Sequence, residues 1–556
     1  MGFSLVALDT DHIKEYVFGT DKLKEIRGAS SILDRLNRSK MEDLAKEAGD
    51  GNWKKIFANG GSGLFLIEST KAAAFVSQVK QEYHQLTAGG ASVTSVVQSL
   101  PADAPDDIES IMMHPMLNTL ALLRYRLHEQ KDHPRAFINE ASHPLMRPCD
   151  SCGMHYAVKQ ASDVVEFYCQ VCLNKQVEDG KVKKYIEWWI RRPGPQRDFE
   201  SPLWKTILEH LQHYSLPDNT NRPEDLNVFS EFRQAKDYLG LIYADANGMG
   251  KAIENLNTLR KVEVFAENVD NAVYDAMCEV IGERLPVQQL GVETWIFPFD
   301  ILLIGGDDIV LVTPAAQAMP FAHALAKRFY VLANKERKEE EEEHSLSVAV
   351  VLAPTNYPFS LMRDLAEDAL KFAKKDGSKT FATKKSDYGK TRVNFLVVAG
   401  STSQSFQKAY NHLRKKYKDA HRSFYATMRP YTLEQLEFLL IMLREGRQLS
   451  LGRTKLHQLR EAILHRDLST SVIESLAVLR TWRENERDFV VKKVYSTERG
   501  NSLLQWDQQN PAARFPVVTF PWFVENKENG AKHYSTLLLD FVELYDFVAR
   551  EGGDEQ

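Results

Sequence analysis

The chain predicts an α+β protein built from two related sheet-and-helix units, a metal-binding segment between them and a helical C-terminal part. Three observations carry this expectation. An apolar run that ends at an aspartate and is followed by a glycine-rich hairpin occurs twice, two C-x-x-C pairs stand between the copies, and from about residue 403 the apolar spacing turns helical.

The first copy opens with SLVALDTDHIKEYVFGTDKLKEIRGASSILDRLNR, an apolar run that ends at Asp9 and continues into helix. IFANGGSGLFLIES, Ile56 to Ser69, then reads as a hairpin. It sets Gly60, Gly61, Ser62 and Gly63 against Gly305, Gly306, Asp307 and Asp308 of the second copy. Ser62 and Gly63 offer no anionic oxygen, so this copy is expected to have lost a metal site. An unrelated α/β unit with a glycine-rich hairpin is the plainer alternative.

Between the copies, Cys149-x-x-Cys152 and Cys169-x-x-Cys172 are separated by sixteen residues. Four thiolates at this spacing close a tetrahedral zinc shell and leave no open position for catalysis, so the metal is predicted to be structural. Redox chemistry would need only one C-x-x-C. Five cysteines in all, four of them here, fit a reducing cytoplasm better than a disulfide scaffold. Cys278 falls in an expected helix and reads as a packed side chain.

The second copy carries the chemistry. LGLIYADANGMGK, Leu239 to Lys251, is an apolar run that ends at Asp245 and breaks at Asn247, Gly248 and Gly250. ILLIGGDDIVLV, residues 301 to 312, places Asp307 and Asp308 behind a glycine pair between two strand-like runs. Adjacent carboxylates repel unless a cation neutralises them, although a solvated hairpin tip would also tolerate them. If the two strands are neighbours, three carboxylates gather at one sheet end and can hold two divalent ions, as in-line attack on an α-phosphate requires. Magnesium, or manganese, suits such oxygen-only ligands. SLSVAVVLA, Ser345 to Ala353, reads as a further strand, and LMRDLAEDALKFAKKDG as a helix whose Leu365, Ala369 and Phe372 face the sheet. Lys374 and Lys375 then fall near its end, within reach of a triphosphate. KERKEEEEEH, Lys335 to His344, reads as a solvated charge run.

The C-terminal part is predicted as a bundle from SFQKAYNHLRKKYKDAHRSFYATM, EQLEFLLIMLRE and the stretch from His457 to Arg483. Its first helix would present Lys408, Arg414, Lys415, Lys416, Lys418 and Arg422 with Phe406, Tyr410 and Tyr417 between them. Such a surface suits an RNA backbone, and a solvated face is the commoner use of it.

Composition agrees with a multidomain chain. Its 556 residues leave room for three or four domains, and 43% hydrophobic with 26% charged residues is an ordinary globular balance. No apolar run approaches membrane-spanning length, so no membrane partner is expected, and Asp9, Asp11 and Lys14 interrupt what would otherwise read as a leader. A net charge of −6 argues against a general coating of nucleic acid and leaves room for a local basic groove.

Taken together, YADANGMGK, LLIGGDD and AEDALKFAKKDG resemble the second palm domain of the large polymerase-like subunit of type III CRISPR effector complexes, the Cas10/Cmr2 family. They are also similar to the GGDEF nucleotide cyclases, which share that palm. The strongest stretch runs from about residue 239 to 395, and KEIRGAS, Lys24 to Ser30, looks like the family's first palm. The resemblance implies two ferredoxin-like palm domains of nucleotidyl cyclase type, a zinc-ribbon-containing linker domain and a C-terminal helical bundle. The boundaries would be 1–135, 136–235, 236–400 and 401–556. It implies conversion of ATP to cyclic or linear oligoadenylate. Asp245, Asp307 and Asp308 would be the catalytic metal ligands, Asn247, Gly248, Gly305 and Gly306 would lie against the nucleotide, and Lys374 on its phosphates. Guide RNA, target RNA and other subunits of a type III complex would be the partners, in the cytoplasm.

Two departures matter. No His-Asp dipeptide occurs and the first unit starts at residue 3, so an N-terminal HD nuclease domain and DNA cleavage are not expected. The chain is also short for the family, which leaves open whether it works inside a complex or alone. Two other readings stand: a catalytically silent ribonucleoprotein scaffold, which has no reason to keep mutually repelling carboxylates, and a GTP-using cyclase of GGDEF type. The adjacent first unit opposes the second of these, as does aspartate where that motif has glutamate and phenylalanine.

Overall fold

The computed structural model describes residues 2–132, 145–160, 165–191, 199–212, 216–232, 237–291, 294–335, 337, 342–381, 387–398, 405–416, 422–464, 468–494, 520–526 and 532–548. Mixed α+β architecture follows from the alternation of apolar strands with amphipathic helices.

In the first unit, β1 (Phe3–Asp11), α1 (Leu23–Arg35), β2 (Trp53–Asn59), β3 (Ser62–Glu68), α2 (Ala72–Thr87) and β4 (Ser92–Ser99) follow one another. The sheet order is β2-β3-β1-β4, antiparallel throughout, which is the ferredoxin-like arrangement. β1 is central and buried along most of its length because both sheet faces are covered. Val6, Leu8, Phe65 and Ile67 pack against α1 and α2 on one side. Leu5, Ala7 and Leu66 meet Ile111, Leu120 and Leu123 on the other.

The cysteine segment forms a two-stranded ribbon, Lys159–Gln160 against Phe167–Tyr168, and runs into α3 (Gln170–Arg191). α3 lies so close to α1 that a Cβ on Gly28 would come within 1.8 Å of the Lys175 carbonyl oxygen, so only glycine fits there.

The second unit repeats the first and adds a strand. β5 (Tyr238–Ala246), α4 (Leu259–Arg284), β6 (Asp300–Gly305), β7 (Asp308–Pro314), α5 (Ala315–Ala333), β8 (Leu346–Pro354), α6 (Phe359–Phe381) and β9 (Val393–Val397) give the order β6-β7-β5-β8-β9. Only β8 and β9 run parallel. α4 and α5 cover one face over Ile242, Ala244 and Leu311. α6 covers the other, where Leu241, Tyr243 and Val310 share a core with Ile26 and Leu33 of α1. The expected inward side of α6 is present, with Leu365 and Ala369 buried. Lys335, Arg337 and residues 342–344 of the charge run are described, and the rest of it lies outside the described residues.

The structure corrects the reading of the C-terminal part as wholly helical. The expected first helix is a short one, Phe406–His412, followed by β10 (Arg414–Lys416) and β11 (Arg422–Tyr425). These join β12 (Phe523–Asn526) and β13 (Lys532–Ser535) in a sheet ordered β10-β11-β13-β12. Phe424 gains by stacking on Tyr534 at 4.5 Å between ring centroids and meeting Trp522 edge-on. Phe406 and Tyr410 are buried against Phe372, with the Phe372 and Tyr410 rings 4.6 Å apart, so they form no exposed aromatic platform. Tyr417 and Lys418 lie outside the described residues. The later helices α7 (Leu433–Gln448), α8 (Arg453–Leu464) and α9 (Leu468–Arg480) fall on the expected segments, and a further helix, α10 (Leu538–Leu544), follows the sheet.

Among the described residues, no helix is long and apolar enough to cross a membrane.

Candidate active site at two facing hairpins

Asp245 sits near the end of β5, whose apolar residues fix it in the centre of the sheet. The ladder pairs Ala244 with Ile309, so one step further Asp245 and Asp308 are cross-strand neighbours on one face. Asp307 follows at the turn, after Gly306, whose φ of +62° is the conformation that glycine tolerates best. The structure thus brings the three predicted carboxylates to one sheet end.

Their electrostatics are those of an anionic cluster short of positive charge. Burial, then Asp245 and Asp308, push the Asp307 carboxyl up to about 7. Burial and Asp245 push Asp308 up to about 7, against the pull of Lys14 and Lys374. Lys374 pairs with Asp245 and donates to the Ala246 carbonyl at 2.8 Å. The three carboxylates do not close to within 4.8 Å of one another, whereas the cysteine cluster does. An oxygen-only donor set whose members raise one another's pKa suits hard divalent cations, so these residues fit Mg²⁺ or Mn²⁺.

The other expected nucleotide contacts are placed differently. Asn247 is buried and spends its side chain on β8, donating to Ser345 Oγ at 3.0 Å and accepting from Ser347 Oγ at 2.9 Å. Gly248, with φ +77°, turns the chain into the short helix Met249–Glu254. Gly305 and Gly306 lie against Gly60 of the first unit, where a Cβ on Gly60 would come 2.9 Å from the Gly306 nitrogen.

This contact revises the predicted correspondence between the hairpins by one residue. Asn59 pairs with Ser62 as Gly305 pairs with Asp308, so Gly60 matches Gly306, Gly61 matches Asp307 and Ser62 matches Asp308. Asp9, opposite Ser62, occupies the place of Asp245. It accepts from Ser62 Oγ at 3.2 Å and pairs with Lys131 at 2.5 Å. The first unit therefore keeps one carboxylate of three, Asp9 on β1, already paired with a lysine.

Sequence reasoning missed the residues that join the units. Arg27, within KEIRGAS, is buried and reaches Asp300 at 2.7 Å and Asp179 at 3.0 Å, and Arg222 reaches Asp179 at 2.8 Å. Arg38 forks onto both oxygens of Asp270 at 2.7 Å. Lys14 crosses from the first unit to Glu367 of α6 at 3.0 Å. None of these has a local signature, because each partner is remote in sequence.

The four cysteines form the one group of metal-ligating side chains, among the described residues, whose donor atoms all lie within 4.8 Å. Cys152 Sγ and Cys169 Sγ are 3.8 Å apart, beyond a disulfide. Tetrahedral zinc with bonds of about 2.3 Å would separate its sulfurs by roughly 3.8 Å. Hydrogen bonding from Cys169 and Cys172 pulls the Cys152 thiol down, as expected of thiols that share charge. The cluster is able to hold zinc. Cys278 is buried in α4, where burial pushes its thiol up to about 12.

A ferredoxin-like sheet that gathers aspartates at its first strand and hairpin tip is a domain of the palm class. Residues 238–382 match the family model of the Cas10/Cmr2 second palm domain, so the second unit is a palm of that type. In overall fold it is similar to Csm1 in a Csm1-Csm4 cassette in complex with pppApApA, at 12% identity and TM-score 0.54, over 98% of this chain and 69% of that one. The same cassette type in complex with cA3 matches at 12% identity and TM-score 0.51, over 99% of this chain and 70% of that one. No curated protein matches the sequence.

Proposed function

We propose that this chain is a nucleotidyltransferase that converts ATP to cyclic or linear oligoadenylate as a subunit of a type III CRISPR complex. The observation that carries this is the convergence of Asp245, Asp307 and Asp308 within the Cas10/Cmr2 second palm domain. The Csm1-Csm4 cassettes of similar fold are in complex with pppApApA and with cA3, which supports oligoadenylate chemistry here.

In the reaction, the 3′-hydroxyl oxygen of one nucleotide bonds to the α-phosphorus of another. The Pα–O bond to the β-phosphate breaks, pyrophosphate leaves with the electron pair, and the hydroxyl proton passes to solvent. Divalent ions held by Asp245, Asp307 and Asp308 would supply hydroxyl activation and charge neutralisation. The chain's own part is to orient. The β5 and β7 ends fix the carboxylates, Lys374 stands beside Asp245 to meet phosphate oxygens, and Gly305 and Gly306 keep side chains out of the nucleotide's way. Asn247 and Gly248 shape the turn beneath it.

The domains divide as 1–135, a degenerate first palm; 136–235, the zinc linker; 236–400, the catalytic palm; and 401–556, a C-terminal domain of helices with the sheet described above. Guide and target RNA, other complex subunits and a cytoplasmic setting complete the proposal.

The test is incubation of the purified chain, alone and with guide and target RNA, with labelled ATP and magnesium, followed by product separation. Product that requires metal and disappears in D307A/D308A supports the proposal. A fully folded chain in its complex that makes none points to a scaffold, and product from GTP instead of ATP points to a cyclase of GGDEF type.

A further inference from the structure

Lys14 belongs to the first unit but stands at the second unit's site. β1 ends at Asp11, His12 turns the chain with φ +57°, and the short helix Ile13–Phe18 begins. Ile13 is seated over Gly61, so closely that a Cβ on that glycine would lie 2.3 Å from its Cδ1. Gly61 adjoins Gly60, which touches Gly306. The backbone that carries Lys14 is thereby held against the hairpin that carries Asp307 and Asp308.

The ammonium lies 5.7 Å from the centre of the Tyr243 ring and 3.0 Å from Glu367. Tyr243 is two residues from Asp245 on the same face of β5. Its side chain is 43% exposed, so a ligand can reach it.

The arrangement also lets Lys14 leave its partner cheaply. Glu367 is shared, 3.0 Å from Lys14 and 2.9 Å from Lys371 one helical turn on. If Lys14 turns to a ligand, Glu367 keeps a counter-charge. An ammonium that is exposed, anchored at its backbone and only half engaged suits a polyanion entering between the units.

We infer that Lys14 binds the β- and γ-phosphates of the nucleotide held at Asp245, Asp307 and Asp308, so that the first unit completes the second unit's triphosphate site. This rests on the nucleotidyltransfer reading above. Lys14 would hold the pyrophosphate oxygens as negative charge gathers on them, opposite Lys374.

Equilibrium binding of ATP and of AMP, with magnesium, to the full chain and its K14A, K14R, E367Q and D307N/D308N variants tests this. K14A is expected to weaken ATP binding about tenfold or more, from the loss of one charge-assisted contact, while AMP binding is unchanged and K14R recovers much of the loss. E367Q should bind ATP as well as the unaltered chain or better, because it removes the competitor. K14A that binds ATP normally, while D307N/D308N does not, overturns the role of Lys14 alone. Equal weakening of ATP and AMP by K14A, or weakening by E367Q, also overturns it, since either result marks a structural ion pair. An unaltered chain without metal-dependent ATP binding overturns the nucleotidyltransfer reading itself.

Discussion

Gly60 and Gly306 meet main chain to main chain: a Cβ on Gly60 would lie 2.9 Å from the nitrogen and 3.0 Å from the Cα of Gly306. Both have left-handed φ, +59° and +62°. G60A therefore meets two penalties, the left-handed backbone, about 1 kcal/mol, and a clash that separates the hairpins. Gly51 is a built-in control, with φ +89° and nothing within 4 Å of its Cβ position. G51A should cost only about 1 kcal/mol and spare activity. G60A should cost more and reduce product formation, as read from paired melting curves and product assays.

The acidic cluster destabilises the protein that carries it. Asp307 and Asp308 titrate near 7 in the folded chain, above the ordinary carboxyl range, so the unfolded chain gives up those protons first. Stability is then lost as pH rises from about 4 through 7. Metal-free D307N/D308N should be more stable than the unaltered chain at pH 8, by about 1 kcal/mol after solvent screening. Magnesium should raise the melting temperature of the unaltered chain alone.

C152S, or strong chelation, should lower stability by several kcal/mol, because thiolate–metal bonds contribute directly to folding. Ribbon and α3 should loosen together, visible as faster amide exchange from Tyr168 to Asp179. An unchanged melting temperature after verified removal of zinc would remove the structural role of the cluster.

His323 provides a pH test remote from the hairpins. It lines a cavity of about 590 Å³ between α4, α5 and α7. Burial pushes its pKa down to about 4; Glu437 opposes this, and Lys327 and Arg284 reinforce it. Between about 4 and the ordinary 6.5, the unfolded chain binds a proton that the folded chain refuses, so stability falls as pH drops through that window. H323Q should flatten this part of the stability profile. Identical profiles for H323Q and the unaltered chain would contradict the assignment.

What could be read from sequence was what neighbouring residues encode. Apolar runs closed by Asp245 and by Gly305 to Asp308 marked strands, and their pairing needed only that adjacent β elements associate. Two C-x-x-C pairs marked the ribbon. The first hairpin was misregistered by one residue because Gly61 and Ser62 carry no charge to pin the alignment. The C-terminal sheet was missed because Phe424 acquires its strand partner, Tyr534, from 110 residues away. Lys14 and Arg27 were invisible as site residues for the same reason, since both act across the junction between units.

Arg27 has one more implication. β6 begins at Asp300 and ends at the glycine pair, so the strand carrying the acidic turn is moored at its far end by a guanidinium from the first unit. Asp300 is wholly enclosed, and Arg27, Asp179 and Arg222 all lie before residue 236. A fragment cut at that boundary would expose or strand a carboxylate whose counter-ion was left behind, a cost of about 3–5 kcal/mol. The second unit is therefore not a module to be transplanted by itself; its acidic turn depends on a counter-ion network supplied from earlier in the chain.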